Sequence, residues 1–414
     1  MPLVRFVHAA DLHLDAPFAG VDASDPRVKS ALVASTLEAF ERIVALCLDE
    51  KVDFLIIAGD VYDNARNFNA QLRFQQQMAL LAGAGIPVFI VEGNHDPESA
   101  RPRDLRLPDN VHYFSTQSVE RVPVERDGQV VCALYGRGYA RAAETRNLAK
   151  DYHRSPTDAV AIGVLHANVG GREGFEDYAP ASLDDLRAAG MDYWALGHIH
   201  KPEVLSESPA IVYAGCPQGR SPKEDGVRGC YLVEIEGGHA EMSFRPTCSV
   251  VWETRTVDVT ALEDIDGLRA ALRKVCDAVR LSAEGLPAIV RIELVGRAAI
   301  HAALVRGTVR ADLERELRDE QMAGRPWLWV DRARDRTSAA LDIEELRSAP
   351  GFEGDLVRFA DEMGEDQGSL EATIVELLRP IEASLGSVDL GLTPQELLER
   401  ARDLCLDRLE GDGR

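Results

Sequence analysis

The chain has 414 residues, of which 45% are hydrophobic and 28% are charged. This length exceeds what one compact core usually organises, and the composition is that of a soluble globular protein, so two or three domains are expected. The formal net charge of −23 argues against a broadly basic nucleic-acid-binding surface, because phosphate binding normally requires an excess of lysine and arginine.

Local features narrow the class of protein further. No segment approaches the roughly 20 apolar residues of a membrane-spanning helix, and the N-terminus lacks a secretory signal pattern, so we expect a cytoplasmic protein without membrane contact. The seven cysteines are scattered and form no C-x-x-C pair, which argues against a disulfide framework and against a thiolate zinc site.

Short apolar runs alternate with longer helical patterns between residues 3 and 232, as they do in α/β proteins. Helices are predicted over 27–49 and 69–83, which gives a β-α-β-α-β start. The predicted strands are, in chain order, LVRFVHAA, VDFLIIAGD, GIPVFIVEGN, VVCALYG, AIGVLHAN, YWALGH, AIVYAG and GCYLVEIE. Together these elements predict a first domain over residues 1–255.

A second, smaller α/β domain is predicted over residues 256–339. Its helix is expected near 262–280, and two strands are expected around Val290 to Leu294 and Trp327 to Val330.

From residue 340 to 414 the pattern is helical and acidic, with 6 basic and 16 acidic side chains over 351–414. Thr393, Pro394 and Glu396 predict the start of the last helix through a capping box. Its apolar stripe, which includes Leu404, either packs on its own domain or docks a partner.

Polar residues follow the ends of five predicted strands. Asp11 and His13 follow the first strand, where alternate residues of an extended chain point the same way and can face one ion. Open α/β sheets gather their ligands at the carboxyl ends of their strands. The other positions of this kind are Asp60 and Asp63 after the second strand, Asn94, His95 and Asp96 after the third, and then His166, His198 and His200.

This set of residues offers oxygen and nitrogen ligands without sulfur, which suits manganese, iron or zinc better than calcium or a structural zinc. Seven ligand side chains are too many for a single ion with an open position. They are sufficient for two ions that share a carboxylate. Two such ions can activate a water and offset the charge that builds up on a phosphoryl group.

The motifs D-x-H, G-D-x-x-D/N, G-N-H-D/E, H and G-H-x-H are present in order, and this pattern resembles the calcineurin-like metallophosphoesterases. The segments AGDVYD, EGNHDP, LGHIHKP and YAGCPQGR are similar to those of the SbcD-type DNA-repair exonucleases and their YhaO-like bacterial branch. The resemblance covers about residues 3–250. It implies an α/β sandwich of two mixed β-sheets flanked by helices, followed by a small α/β capping domain and a helical C-terminal tail.

The resemblance also implies a role for each motif residue. One divalent ion would be held by Asp11, His13, Asp60 and His200, and a second by Asp60, Asn94, His166 and His198. Manganese is the expected metal, with iron, zinc or magnesium as alternatives.

Further roles follow from the same resemblance and from local charge. His95 would act on the phosphate with Asp96 as its orienting partner, and Asp63 would orient a ligand. Arg101, Arg103 and Arg106, which lie in a segment with 9 basic and 6 acidic residues over 101–150, would contact DNA or else be solvated charges.

Three functions stay open at this point. The first is a metal-dependent DNA nuclease, exonuclease or endonuclease, and the second is a phosphodiesterase or phosphatase of small nucleotides or phosphoproteins. The third is a mainly scaffolding subunit of an SMC-like ABC ATPase complex. The domain after residue 255 favours DNA, because a nuclease needs extra surface to hold a strand. The chain has no G-x-x-x-x-G-K-[ST] loop, so an ATPase would be a separate partner; a homodimer is a further expectation.

Overall fold

The computed structural model describes residues 3–14, 16–18, 21, 24–63, 67–101, 106–172, 174–305, 307–385 and 392–412. Residue contacts divide the chain into two compact units. The first unit comprises residues 1–254, 279–290 and 322–331, and the second comprises 255–278, 291–321 and 332–414. The predicted tail over 340–414 thus shares a unit with earlier segments, and its separation as a third domain stays a prediction.

The first sheet of the first unit has six strands, of which four are parallel neighbours. The strands are β1 (Val4–Ala9), β2 (Phe54–Ala58), β3 (Val88–Val91), β4 (Val111–Tyr113), β11 (Gly229–Glu236) and β12 (His239–Pro246). Their order is β12-β11-β1-β2-β3-β4, with β11 antiparallel to β1 and to β12.

The second sheet also has six strands and is mixed. Its strands are β5 (Glu120–Arg126), β6 (Gln129–Gly136), β7 (Ala161–His166), β8 (Tyr193–Gly197), β9 (Glu203–Glu207) and β10 (Ala210–Tyr213). The order is β5-β6-β7-β8-β10-β9, in which the edge strands β5 and β9 are antiparallel to their neighbours. The predicted pair of mixed sheets is therefore confirmed.

Helices α1 (Pro26–Glu50), α2 (Phe68–Gly83) and α3 (Leu183–Ala188) belong to the first unit, as do two short 3-10 helices, Glu98–Ala100 and Leu148–Asp151. Side chains of β2 show how the layers form. Phe54 and Ile56 lie in the core between the two sheets, whereas Leu55 and Ile57 pack with residues of α1 and α2. Because the strand is buried on both faces, its sequence reads as one continuous apolar run.

A buried histidine, His8, lies among aromatic rings between the two sheets. The rings of Phe6 and Phe54 stack at 4.9 Å, and Tyr193 of the second sheet lies 5.3 Å from Phe6. Nδ1 of His8 lies 2.9 Å from the hydroxyl of Tyr193. Burial lowers the pKa of His8 to about 3, so this histidine is a neutral structural residue.

The remaining strands, β13 (Val251–Asp258), β14 (Ala288–Ala298) and β15 (Leu328–Ala339), form a third sheet in the order β13-β14-β15. The remaining helices are α4 (Ile265–Ser282), α5 (His301–Val305), α6 (Val309–Met322), α7 (Ile343–Ser348), α8 (Phe352–Glu365), α9 (Gln367–Leu385) and α10 (Pro394–Asp412). A small α/β region followed by C-terminal helices was predicted and is confirmed, although α5 and α6 were missed.

Within the second unit, acidic residues of helix α10 contact earlier segments of the chain. Asp403 forms an ion pair with Arg297, and Asp407 lies 3.1 Å from Nε2 of His301. Leu404 on the same helix is 56% exposed. The helix therefore packs within its own unit through acidic residues and presents this apolar side chain to solvent, and docking of a partner by the stripe stays a prediction.

The sequence argued against a disulfide framework and against a membrane-spanning helix. All seven cysteines lie within the described residues and are free thiols, six of them buried. Within that same part of the chain, no helix is both long enough and apolar enough to cross a membrane.

We predict that Asp403→Asn lowers the free energy of unfolding by about 1–3 kcal/mol at neutral pH, because it removes a charged hydrogen-bond partner of Arg297. Burial opposes the charge of Asp403, but Arg297 lowers its pKa in the folded protein. The stabilisation is therefore present above the pKa of the unfolded carboxyl and is lost as the pH falls through the folded value. Urea unfolding at neutral and acidic pH measures it.

The control is Asp355→Asn, which breaks an exposed pair with Arg358 on one helix and should cost less than about 1 kcal/mol. An equal loss in both variants, or a loss from Asp403→Asn that persists in acid, would contradict the role assigned to this pair.

Candidate metal centre

The motif residues meet at one edge of each sheet in the first unit. Strands β1, β2 and β3 are parallel neighbours in the first sheet, and β7 and β8 are parallel neighbours in the second. Their carboxyl ends therefore lie side by side. The residues brought there are Asp11 and His13 after β1, Asp60 after β2, Asn94 after β3, His166 at the end of β7, and His198 and His200 after β8.

The loops that carry these residues adopt unusual backbone conformations. Asp11, His13 and Asp60 have φ angles of 50°, 42° and 51°, a region that non-glycine residues rarely occupy. A Cβ atom on Gly59, at φ 97°, would lie 2.2 Å from Nδ1 of His166. Such strain persists only where surrounding contacts fix the backbone, and it is concentrated at functional sites. Here the amides of Asp11 and His13 donate to the carbonyls of Gly59 and Asp60 at 3.0 Å each.

The first group of ligand atoms consists of Asp11, His13 and His200, whose donor atoms lie within 4.8 Å of one another. Nε2 of His13 and Nε2 of His200 are 3.2 Å apart. Oδ2 of Asp60 lies 3.7 Å from the same nitrogen of His13. Two ring nitrogens and two carboxylates thus converge on one point, which is how imidazole and carboxylate ligands surround a cation.

The second group consists of Asp11, Asp60 and His166, again within 4.8 Å. Nδ1 of His166 lies 2.9 Å from the carbonyl of Ala58, which can only accept, so this nitrogen carries the proton. In the neutral ring Nε2 then has a lone pair. That nitrogen faces Oδ1 of Asn94 at 3.1 Å and Oδ2 of Asp60 at 3.4 Å. Three acceptor atoms face each other here, and a cation would satisfy all of them.

Asp60 stands between the two groups. Burial opposes its charge, but the neighbouring His166, His13 and His95 lower the pKa of Asp60 to about 2. Burial raises the pKa of Asp11, which is fully enclosed. Buried carboxylates are costly unless a positive charge accompanies them, so the residues present fit two divalent ions with Asp60 between them.

His198 lies beside the second group and outside both sets of ligand atoms. Its ring centroid is 5.2 Å from that of His166, and its Nε2 lies 2.8 Å from the carbonyl of Glu176. Because that carbonyl requires a donor, Nδ1 of neutral His198 keeps a lone pair for a ligand. Burial, followed by the nearby His166, lowers the pKa of His198 to about 4, which keeps the ring neutral.

The structure separates the roles that were predicted for His95 and Asp96. The side chain of His95 is 42% exposed, and its Nδ1 lies 3.6 Å from Oδ1 of Asp63. Asp96 is buried and accepts from the amides of Val61 at 2.8 Å and Gly93 at 3.2 Å. Asp96 therefore fixes the two loops, and we assign the orientation of the His95 ring to Asp63 instead.

Asp63 also lies 3.3 Å from Nδ1 of His13, and its predicted role of orienting a ligand stays a prediction. His95 itself is close enough to bind an ion, since its donor atom and those of His13 and Asp60 lie within 4.8 Å. Its predicted action on the phosphate stays a prediction.

Glu224 and Arg220 complete the site and were missed by sequence reasoning. Oε1 of Glu224 lies 2.6 Å from Nδ1 of His200, and Arg220 lies 3.4 Å from both Glu224 and Asp63. Burial opposes the charge of Glu224, but the hydrogen bond from His200 lowers its pKa to about 2. The segment YAGCPQGR, which ends at Arg220, was the one signal in the sequence for this part of the site. Its spacing does not predict that Glu224, four residues further on, supports a ligand.

Cys216 lies near His200 and Glu224, with ligand atoms within 4.8 Å. Burial raises the pKa of its thiol.

The three arginines predicted to contact DNA have different outcomes. Arg101 forms an ion pair with the buried Glu92, and its guanidinium lies 4.0 Å from the ring centroid of Tyr113. These contacts occupy its charged end, so Arg101 has a structural role that the sequence did not reveal. Arg103 lies outside the described residues. Arg106 is exposed, and its contact with DNA stays a prediction.

Comparison with known proteins agrees with this site. Residues 4–202 match the family described as calcineurin-like phosphoesterase, so the fold and the His/Asp site define a metallophosphoesterase. The chain is 36% identical over 348 residues to the uncharacterized metallophosphoesterase YhaO of Bacillus subtilis, covering 83% of this chain and 84% of that protein. Residues 252–338 match the middle domain of YhaO. The chain therefore belongs to the YhaO-like branch of the calcineurin-like metallophosphoesterases.

More distant relatives carry names that refer to DNA repair or to a nuclease. The DNA double-strand break repair protein Mre11 of Methanopyrus kandleri is 28% identical over 376 residues, which cover 83% of this chain and 75% of that protein. The SbcD polypeptide of the nuclease SbcCD of Bacillus subtilis is 26% identical over 273 residues, which cover 57% of this chain and 67% of that protein. The predicted resemblance is confirmed, and the relationship to SbcD is a distant one.

We predict that Glu224→Gln weakens Mn²⁺ binding by about 10- to 100-fold, as loss of a carboxylate behind a histidine ligand typically does. The amide still fills the space but no longer holds Nδ1 of His200 with a negative charge. Titration of the metal-free protein with Mn²⁺ measures the effect.

The matched control is Glu203→Gln, which alters a pair with Arg172 at 3.0 Å and should leave Mn²⁺ affinity unchanged. If Glu224→Gln binds Mn²⁺ as tightly as the unaltered protein, Glu224 does not support the centre.

Proposed function

We propose that the protein hydrolyses DNA phosphodiester bonds with two bound divalent ions, of which manganese is the expected metal. The observation that carries this proposal is the convergence of ring nitrogens of His13 and His166 on one oxygen of the buried Asp60, with His200 beside the first nitrogen and Asn94 beside the second. Such an arrangement suits two cations that share one carboxylate.

The chain's own residues divide into holding and reacting groups. One ion would be held by Asp11, His13, Asp60 and His200, and the other by Asp60, Asn94, His166 and His198. When bound, two such ions supply an activated water and offset the charge of the phosphoryl group. His95 at the exposed rim would donate a hydrogen bond or a proton to the leaving oxygen, with its ring oriented by Asp63.

Support for DNA over other phosphate esters comes from outside the metal centre. The likeness to a named DNA repair protein extends over 83% of the chain, beyond the catalytic motifs. The residues after 255 provide surface that hydrolysis of a small ester does not require. A small nucleotide or a phosphoprotein as substrate, and a mainly scaffolding role, are the alternatives that the experiment must separate.

The test is incubation with Mn²⁺ and end-labelled single- and double-stranded DNA, with and without a chelator. The matched variant is His95→Asn, which should keep its bound metal while turnover falls by at least about 100-fold, the usual contribution of a proton donor. Product lengths distinguish exonuclease from endonuclease activity.

DNA cleavage that requires metal and is lost in His95→Asn supports the proposal. Hydrolysis of bis(4-nitrophenyl) phosphate without any DNA cleavage would indicate a small-molecule substrate. A metal-loaded protein that hydrolyses neither would indicate a scaffold. Loss of an ion in His95→Asn would show that His95 is a ligand.

We further propose that the C-terminal helices bind an SMC-like ABC ATPase. Three apolar side chains from three helices, Phe359, Leu377 and Leu404, are 59%, 68% and 56% exposed. Helices α8, α9 and α10 contact one another, so these side chains belong to one helical assembly. An amphipathic helical surface of this kind suits the helices of a partner.

Because α10 is paired with Arg297 and His301, truncation at residue 340 would disturb the second unit, and point changes are the better test. We predict that Phe359→Ser, Leu377→Ser and Leu404→Ser together abolish co-purification with a co-expressed SMC-like ATPase. Hydrolysis of bis(4-nitrophenyl) phosphate should be unchanged.

The control changes Val33 on α1 and Phe68 on α2 to serine. These two side chains are 66% and 71% exposed. Retained co-purification in the triple variant, or equal loss in this control, would contradict the assignment.

A further inference from the structure

Phe175 is an exposed aromatic residue at the metal centre that metal binding does not explain. Its ring centroid lies 5.8 Å from that of His198 and 5.8 Å from that of His200, in edge-on arrangements. The side chain is nevertheless 36% exposed. A phenyl ring offers no ligand atom, so its place beside two candidate ligands requires another reason.

The loop that carries Phe175 is anchored on both sides of the ring. The carbonyl of the next residue, Glu176, lies 2.8 Å from Nε2 of His198, which ties the loop directly to the metal centre. At the base of the loop, the amide of Asn168 donates to the carbonyl of Tyr178 at 2.9 Å, and the amide of Ala181 donates to Asn168 at 3.1 Å. The ring is therefore held at the site before any substrate arrives.

The backbone before Phe175 is shaped for this placement. Gly174 has a φ of 81°, and a Cβ atom there would meet nothing within 4 Å. The requirement for glycine at this position is thus conformational, since crowding does not impose it. The turn places an apolar ring on the rim of a site whose other members are histidines and carboxylates.

We propose that Phe175 is a specificity-determining residue that stacks on the nucleobase next to the scissile phosphate. The inference rests on the proposed phosphodiesterase function and names a nucleotide as the group on the side of His198 and His200. Every base has an aromatic face, so such a contact favours nucleic acid without selecting a sequence. An exposed aromatic ring beside a charged centre offers this contact with little side-chain entropy to lose.

Two substrates with the same leaving group isolate this contact. Thymidine 5′-(4-nitrophenyl phosphate) and methyl 4-nitrophenyl phosphate both release 4-nitrophenolate, and only the first carries a base. We expect Phe175→Ala to reduce kcat/KM for the thymidine ester by about 5- to 150-fold, the range for loss of one base–aromatic stack. The loss should lie mainly in KM, and the methyl ester should be little affected.

Two further variants separate stacking from support of the histidines. Phe175→Tyr keeps an aromatic ring and should retain the preference for the thymidine ester, whereas Phe175→Leu keeps apolar volume and should lose it. Bound Mn²⁺ should be the same in all three variants and in the unaltered protein.

Equal losses of Phe175→Ala on both esters, or a lost ion, would overturn the proposal, because Phe175 would then only support the metal centre. Full retention of the preference in Phe175→Leu would also overturn it. If the unaltered protein hydrolyses neither ester with Mn²⁺, the phosphodiesterase function itself is contradicted, and the role of Phe175 is contradicted with it.

Discussion

The buried carboxylate of Asp60 between His13 and His166 is the interaction on which the rest of the site depends. Its oxygen lies 3.7 Å from one ring nitrogen and 3.4 Å from the other, and a charge so enclosed is stable only with positive charge beside it. The fold meets this requirement through backbone geometry. The two sheets bring the carboxyl ends of five strands together. Residues with a left-handed backbone conformation, such as Asp11 and Asp60, then turn the chain toward the metal centre directly after their strands.

Carboxylates around the centre perform distinct tasks that are set by what each one contacts. Glu224 holds the far nitrogen of His200, and Asp63 lies between His13 and His95. Asp96 accepts hydrogen bonds from backbone amides and joins the loops after β2 and β3. Ligand orientation and loop geometry are therefore fixed separately, and the exposed rim with His95 and Phe175 is free to contact substrate.

Local patterns in the sequence predicted most of the first unit. The run VDFLIIAGD predicted a strand, which the structure has at Phe54–Ala58, and Thr393 with Glu396 predicted a capping box, which is confirmed by reciprocal hydrogen bonds of 3.2 and 2.7 Å. The metal motifs were found because each follows a strand directly. Glu224, the pairing of Arg101 with Glu92 and the contacts of Asp403 were missed. Glu224 and Asp403 contact residues distant in the chain, and Arg101 reaches Glu92 only through the fold of the intervening loop. No periodicity or spacing predicts such contacts.

The two-ion site around Asp60 is tested most directly by locating bound metal, through anomalous scattering, in crystals of the protein grown with Mn²⁺. We expect two anomalous peaks about 3.5–4 Å apart, one on each side of the Asp60 carboxylate, with His13 and His200 at one peak and His166 at the other. A single peak at full occupancy, or peaks located only between His200, Cys216 and Glu224, would contradict the two-ion site.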